Sequence, residues 1–192
     1  MDSLSSADAI IGTGRGALIS AMFGSGWLGW GLGTAKAYNG IVAPIFGFAT
    51  LFLLGCSIYL IRKGHRLRKE SPATGAVAKS SVRKWFLLLT LAEVIAIALV
   101  AIVANQLHRD DLAADWCAMV VGLHFLPLAK IFRAPRYIVL GILMIVWCAL
   151  CWALFQSSTI PIAASIGTGV LLWGSCVASL FRARQIAQST GA

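Results

Sequence analysis

The sequence predicts an all-α polytopic membrane protein, a single domain over residues 1–192 built as a bundle of six transmembrane helices. Three observations predict it. Hydrophobic residues make up 59% of the 192 and charged residues only 12%, against about a quarter in a soluble domain, so there is too little polar surface to face water. The apolar residues fall into long continuous runs without period-two alternation, and hydrocarbon admits only helices or closed alternating barrels. The basic residues gather between those runs rather than inside them, as the positive-inside bias requires.

A helix crossing a hydrocarbon core of ~30 Å needs ~20 mainly apolar residues, and six stretches qualify. The first, residues 16–34, is rich in glycine and carries Trp27 and Trp30. Its glycines lack the spacing and the following Lys-Ser/Thr of a phosphate loop, and read as small residues that let a central helix pack closely. Arg15, this run and Ala35-Lys36-Ala37 loosely imitate a cleaved signal peptide, but the acidic leader (Asp2, Asp8) and the length of the run argue against cleavage. The second stretch is 41–61. A basic loop, 62–84, follows, and its Ser71-Pro72-Ala73-Thr74-Gly75 centre reads as a flexible linker between two basic clusters. The third stretch, 85–104, holds one carboxylate, Glu93. The fourth, 116–132, is the shortest and contains His124 and Pro127; the fifth and sixth are 137–155 and 160–181. The first three stretches do not repeat in the last three, so an inverted-repeat transporter architecture has no support.

Charge placement orients the bundle. Of 16 Lys and Arg, eight lie in 62–84, three at Lys130, Arg133 and Arg136, two at Arg182 and Arg184, and one at Arg15. Only Lys36 and Arg109 remain for the opposite face, beside Asp110, Asp111 and Asp115. Fourteen against two puts both termini in the cytoplasm of a multi-pass protein in the inner (plasma) membrane. The +9 net charge therefore points to the lipid bilayer, with anionic lipid at the basic loop, and not to nucleic acid. No protein partner or oligomer is specified.

Glu93 carries the most chemical information. It stands eight residues past Trp85, roughly 12 Å into the membrane, where a carboxylate costs ~2.5–3.5 kcal/mol on insertion scales for Asp and faces the bundle interior. His124 stands eight residues past Trp116, within about a helical turn of the same depth, on the next, antiparallel span. An acid and an imidazole at one depth can relay a proton or hold a cation. The plain alternative is polar glue, with Glu93 bonded to a neighbouring helix and His124 to a backbone carbonyl that Pro127 leaves free. Pro127 supplies a kink, and Thr90 and Tyr137 support the pair. Cys148 and Cys151 form C-x-x-C, with Cys117 near by in depth, but they sit in apolar helix without the context of a redox motif and read as small buried hydrophobes. No nucleophile triad, Walker motif or H-E-x-x-H occurs, so no catalytic residue, metal or cofactor is expected.

Ala92 to Ala98 (Ala-Glu-Val-Ile-Ala-Ile-Ala), Val121 to Ala129 (Val-Gly-Leu-His-Phe-Leu-Pro-Leu-Ala) and Phe132-Arg133-x-Pro135-x-Tyr137 together resemble a group of small bacterial six-helix membrane proteins of unassigned activity. The likeness covers residues 89–144, about a third of the chain. It implies the same architecture, points again to Glu93, His124, Pro127 and Tyr137, and supplies no reaction. Arg136 departs from the pattern, which often has a second aromatic beside the Tyr. The functional expectation is a small transporter or channel-like protein with a buried Glu/His site. The alternatives are a non-catalytic structural or partner-binding membrane protein and, third, an intramembrane enzyme.

Overall fold

The structure, a computed structural model, describes residues 6–70, 79–132 and 134–189. The linker centred on residues 71–75 and the basic side chain at 133 lie outside them. Six helices follow in order: α1 Ser6–Thr34, α2 Val42–Glu70, α3 Lys79–Gln106, α4 Asp110–Ile131, α5 Arg136–Leu154 and α6 Ile160–Ser189. No strand occurs among the described residues. Five helices, α2 to α6, are long and apolar enough to cross a membrane, and large apolar side chains such as Phe48, Leu51, Leu87 and Leu154 stand exposed along them. A surface of that kind suits hydrocarbon rather than water. α1 is as long as α2 but is not among the five.

The helices outrun the apolar stretches. Nine residues of the expected basic loop, 62–70, continue α2, and its other end opens α3 at Lys79, which corrects the reading of 62–84 as a loop. Hydropathy marks where lipid ends, whereas Lys and Arg are good helix formers. Arg68 and Lys69 in the last turn of α2 also sit favourably at the negative end of the helix dipole.

The connections are short and chemically specified. Asn39 Oδ1 accepts from the Ile41 and Val42 amides at 2.9 and 2.8 Å, satisfying two donors at the start of α2. α3 ends in a Schellman motif: His108 has φ 52, its amide donates to the Asn105 carbonyl, and the Arg109 amide donates to the Ala104 carbonyl at 2.8 Å. Arg109 then forks onto Asp111, with Nε 3.0 Å from Oδ1. Pro135, at φ −58, leads into α5, as a residue with a fixed φ and no N–H can at a helix start.

The chain gathers into two compact units. The first contains α1 up to Gly26, α2, and α6 from Leu172. Its helices approach over small residues. A Cβ at Gly14 would lie 3.2 Å from the Ile61 amide nitrogen, and one at Gly64 would lie 3.1 Å from that of Ile11. Ala17, Ala21, Leu53 and Cys176 form its core. Ser25 ties three helices: its hydroxyl donates to the Ala21 carbonyl (2.7 Å), lies 3.2 Å from Thr50 Oγ1, and accepts the Trp173 indole N–H at 3.1 Å.

The second unit contains residues 27–36, α3, α4, α5, and α6 up to Leu171. α4 packs against both α3 and α5. More than half of the apolar stretch of α4 is buried, and none of that of α3, so α3 turns its Leu, Ile and Val outward almost all round. α4 and α5 meet backbone to backbone, where a Cβ at Gly141 would come within 2.6 Å of the Gly122 carbonyl oxygen. Leu112, Cys151, Ile160 and Ala164 make the core here, flanked by Trp116 and Trp147; the Trp147 indole donates to the Ala163 carbonyl at 3.1 Å.

Candidate functional site

Antiparallel register brings α3 and α4 together in a way that can be checked by counting. Phe86 on α3 meets Phe132 on α4, ring centroids 5.8 Å apart. Seven residues further along α3 and eight back along α4 stand Glu93 and His124, the same height to within one 1.5 Å rise. His124 Nδ1 lies 3.5 Å from Glu93 Oε2, with the side chains 8% and 13% exposed. The distance is that of an ion pair, but no hydrogen bond closes across it, and among the described residues Nδ1 has no hydrogen-bond partner. The Leu89 main-chain carbonyl, one turn before Glu93, also lies beside the imidazole.

Aromatic packing holds the imidazole. Phe125 meets His124 edge-on at 6.2 Å and stacks on Tyr137 at 5.8 Å with 15° between planes. Tyr137 in turn touches Phe132 at 6.2 Å, and the Arg136 guanidinium sits 5.2 Å from its ring centroid. Tyr137 thus braces the helix carrying His124 from α5. Pro127 lies inside α4 without ending it. Thr90 is half-buried on α3 and, among the described residues, makes no side-chain hydrogen bond to the pair.

Pairs of buried ionisable groups have a definite chemistry. Acid plus neutral imidazole, and carboxylate plus imidazolium, carry the same net charge and differ only in which group holds the proton. Taking up or losing one more proton changes the net charge of a site sheltered from water, which hydrocarbon penalises. The arrangement can therefore hold one proton on either of two groups whose nearest atoms lie 3.5 Å apart.

One buried acid escaped the sequence reading. Asp115, expected with the acidic cluster at a helix end, is 1% exposed. Its carboxyl meets the Cys148 thiol, with Cys151 also near by, while among the described residues Oδ1 has no hydrogen-bond partner. The signal was present in the pattern: Asp115, Ala118, Gly122, Phe125 and Ala129 recur at intervals of three and four, the buried stripe of α4. Cys148 and Cys151 are fully buried, and all five thiols are free. Ser165 and Thr168 on α6 are likewise buried, with unpartnered hydroxyls. Among the described residues no cluster of three or more His, Cys, Asp or Glu could hold a metal ion.

A family described as one of unknown function, DUF7010, matches residues 46–180, a stretch that includes all three motifs quoted above. No curated protein and no solved structure matches the chain.

Proposed function

The chain belongs to DUF7010, a family of unknown function, and from that premise we propose that it is a small transporter or channel-like membrane protein that handles protons or a small cation, with Glu93 and His124 as its ionisable site. The observation that carries this reading is the open pair: Nδ1 and Oε2 at 3.5 Å, sheltered, with no hydrogen bond closed on Nδ1. A clamp that only joined two helices would close that bond, because an unsatisfied buried polar atom is costly. The scarcity of other polar side chains on α3 and α4 suits a proton or small cation better than a bulky polar solute.

The proposal includes orientation. Fourteen of the sixteen basic residues face the cytoplasm, both termini lie there, and α1 crosses the inner membrane as a sixth span, closely packed over small residues. A structural clamp is the competing reading, and the Leu89 carbonyl beside the imidazole favours it.

Reconstitution separates the two. In proteoliposomes with an internal pH dye and a potassium diffusion potential, the wild-type protein should move protons and Glu93→Gln should not, while remaining folded. Glu93→Gln behaving as wild type in flux would remove Glu93 from the mechanism and leave the clamp.

A further inference from the structure

Away from the Glu/His pair, in the first unit, a groove of about 740 Å³ runs between α2 and α6. Two contacts give the relative sense of these helices. Phe46 stacks on Trp173 at 5.9 Å, and further along both helices Ser57 Oγ lies 3.9 Å from Cys176 Sγ. Both sequence numbers rise from one contact to the next, so α2 and α6 run in the same sense. The concavity comes from what is missing from the helix faces. Gly55 lines the groove and a Cβ there would meet nothing within 4 Å; Ala183 and Ala187 keep the facing wall low. Phe52, Tyr59 and Leu180 make the apolar sides.

Lys63 and Arg184 also line this groove. Both lie beyond the Ser57–Cys176 contact in the same direction, six residues on from Ser57 and eight on from Cys176. Among the described residues no carboxylate lines the groove; the nearest one in sequence to its lining, Asp8, pairs with Arg68 at 3.8 Å. An apolar trough with two cations in its lining is complementary to one kind of molecule, an acyl chain carrying an anionic phosphate. A second copy of this chain fits poorly, because seven acidic residues against sixteen basic ones leave little acidic surface to meet the cation pair.

We propose that the groove between α2 and α6 binds a single anionic phospholipid, its phosphate between Lys63 and Arg184 and one acyl chain over Gly55. This is a defined site, narrower than attraction of a basic segment to a charged leaflet, and it stands whether or not Glu93 moves protons.

Native mass spectrometry of the full-length protein in detergent tests it, with phosphatidylglycerol and phosphatidylcholine titrated separately. One phosphatidylglycerol per chain should bind ahead of phosphatidylcholine. Each basic side chain at an anionic lipid is worth about a five-fold change, so Lys63→Gln with Arg184→Gln should weaken phosphatidylglycerol about thirty-fold, while Lys63→Arg with Arg184→Lys retains it. Gly55→Leu, which puts a side chain into the groove at a position where a Cβ meets nothing within 4 Å, should reduce binding with both cations in place, and its thermal melt should match wild type. Equal binding of the two lipids by the wild-type protein overturns the proposal, as does unchanged binding by Gly55→Leu. A dimer that Gly55→Leu dissolves, with no lipid preference, would assign the groove to a second copy and overturn it equally.

Discussion

A sheltered ionisable pair and three buried thiols set the terms at the scale of the residue. Glu93 and His124 touch, so removing either leaves the other unpaired in an apolar setting, whereas removing both leaves nothing to satisfy. Glu93→Leu and His124→Leu should each lower thermal stability in detergent, and the double variant should lose less than the sum of the two. Polar pairs between membrane helices average about 0.6 kcal/mol and reach about 1.7, so a coupling of that order is expected; strict additivity, the behaviour of distant sites, would mean the pair does not interact. The thiols make a second prediction. Cys148, Cys151 and Cys176 are fully buried and free, and a thiol must reach reagent as thiolate to react. All three should resist maleimide in the folded protein and label only after denaturation, and Cys148→Ser with Cys151→Ser should remain folded. A mobility shift on oxidation that the double variant abolishes would instead establish a disulfide.

Among the elements, the decisive contact is that of α4 with α5. A methyl group at Gly141 would press on the Gly122 carbonyl oxygen at 2.6 Å and on Leu126 and Phe125 at 3.2 Å, and overpacking of a close contact costs about 1–3 kcal/mol. Gly141→Ala should lower the melting point of the purified protein. Gly47→Ala, at a helical position with nothing within 4 Å, should be neutral or should stabilise by up to ~1 kcal/mol through helix propensity. Equal melts for the two would show that the backbones do not meet. Such contacts mark the limit of what was legible. The positions of the helices could be read, because runs of Leu, Ile, Val and Phe register as hydropathy. Their ends could not: residues 62–70 are polar yet helical, since propensity and the dipole govern there. The glycine-rich first stretch suggested where helices would crowd, and Gly14 and Gly31 do crowd neighbours. Gly64, Gly122, Gly141 and Gly167 do so too, but a single glycine gives no periodic signal. Counting residues from Trp85 and Trp116 was enough to bring Glu93 and His124 to one depth. Asp115 was missed because its charge outweighed its place on the buried stripe.

For the whole molecule, the charge asymmetry yields a prediction independent of side-chain geometry. In a variant lacking the native cysteines, a cysteine at Ser71 should resist membrane-impermeant thiol reagents in intact cells, and one at Asp111 should label. The reverse pattern would invert the protein in the membrane and place Lys63 and Arg184 in the opposite leaflet. Synthesis imposes a further demand through the lipid-facing character of α3. Glu93 precedes His124 by 31 residues, which at about 5–20 residues per second is a delay of roughly 2–6 s. During that interval the carboxyl must enter the bilayer without its partner, on a helix that has no α4 to shelter it. Twelve Leu, Ile, Val and Phe residues lie between Trp85 and Ala104. At about 0.3–0.6 kcal/mol each they outweigh the ~2.5–3.5 kcal/mol that an acidic residue costs at a helix centre. The outward-facing apolar surface of α3 is thus what lets the nascent chain deliver its acid to mid-membrane before the imidazole that will meet it has left the ribosome.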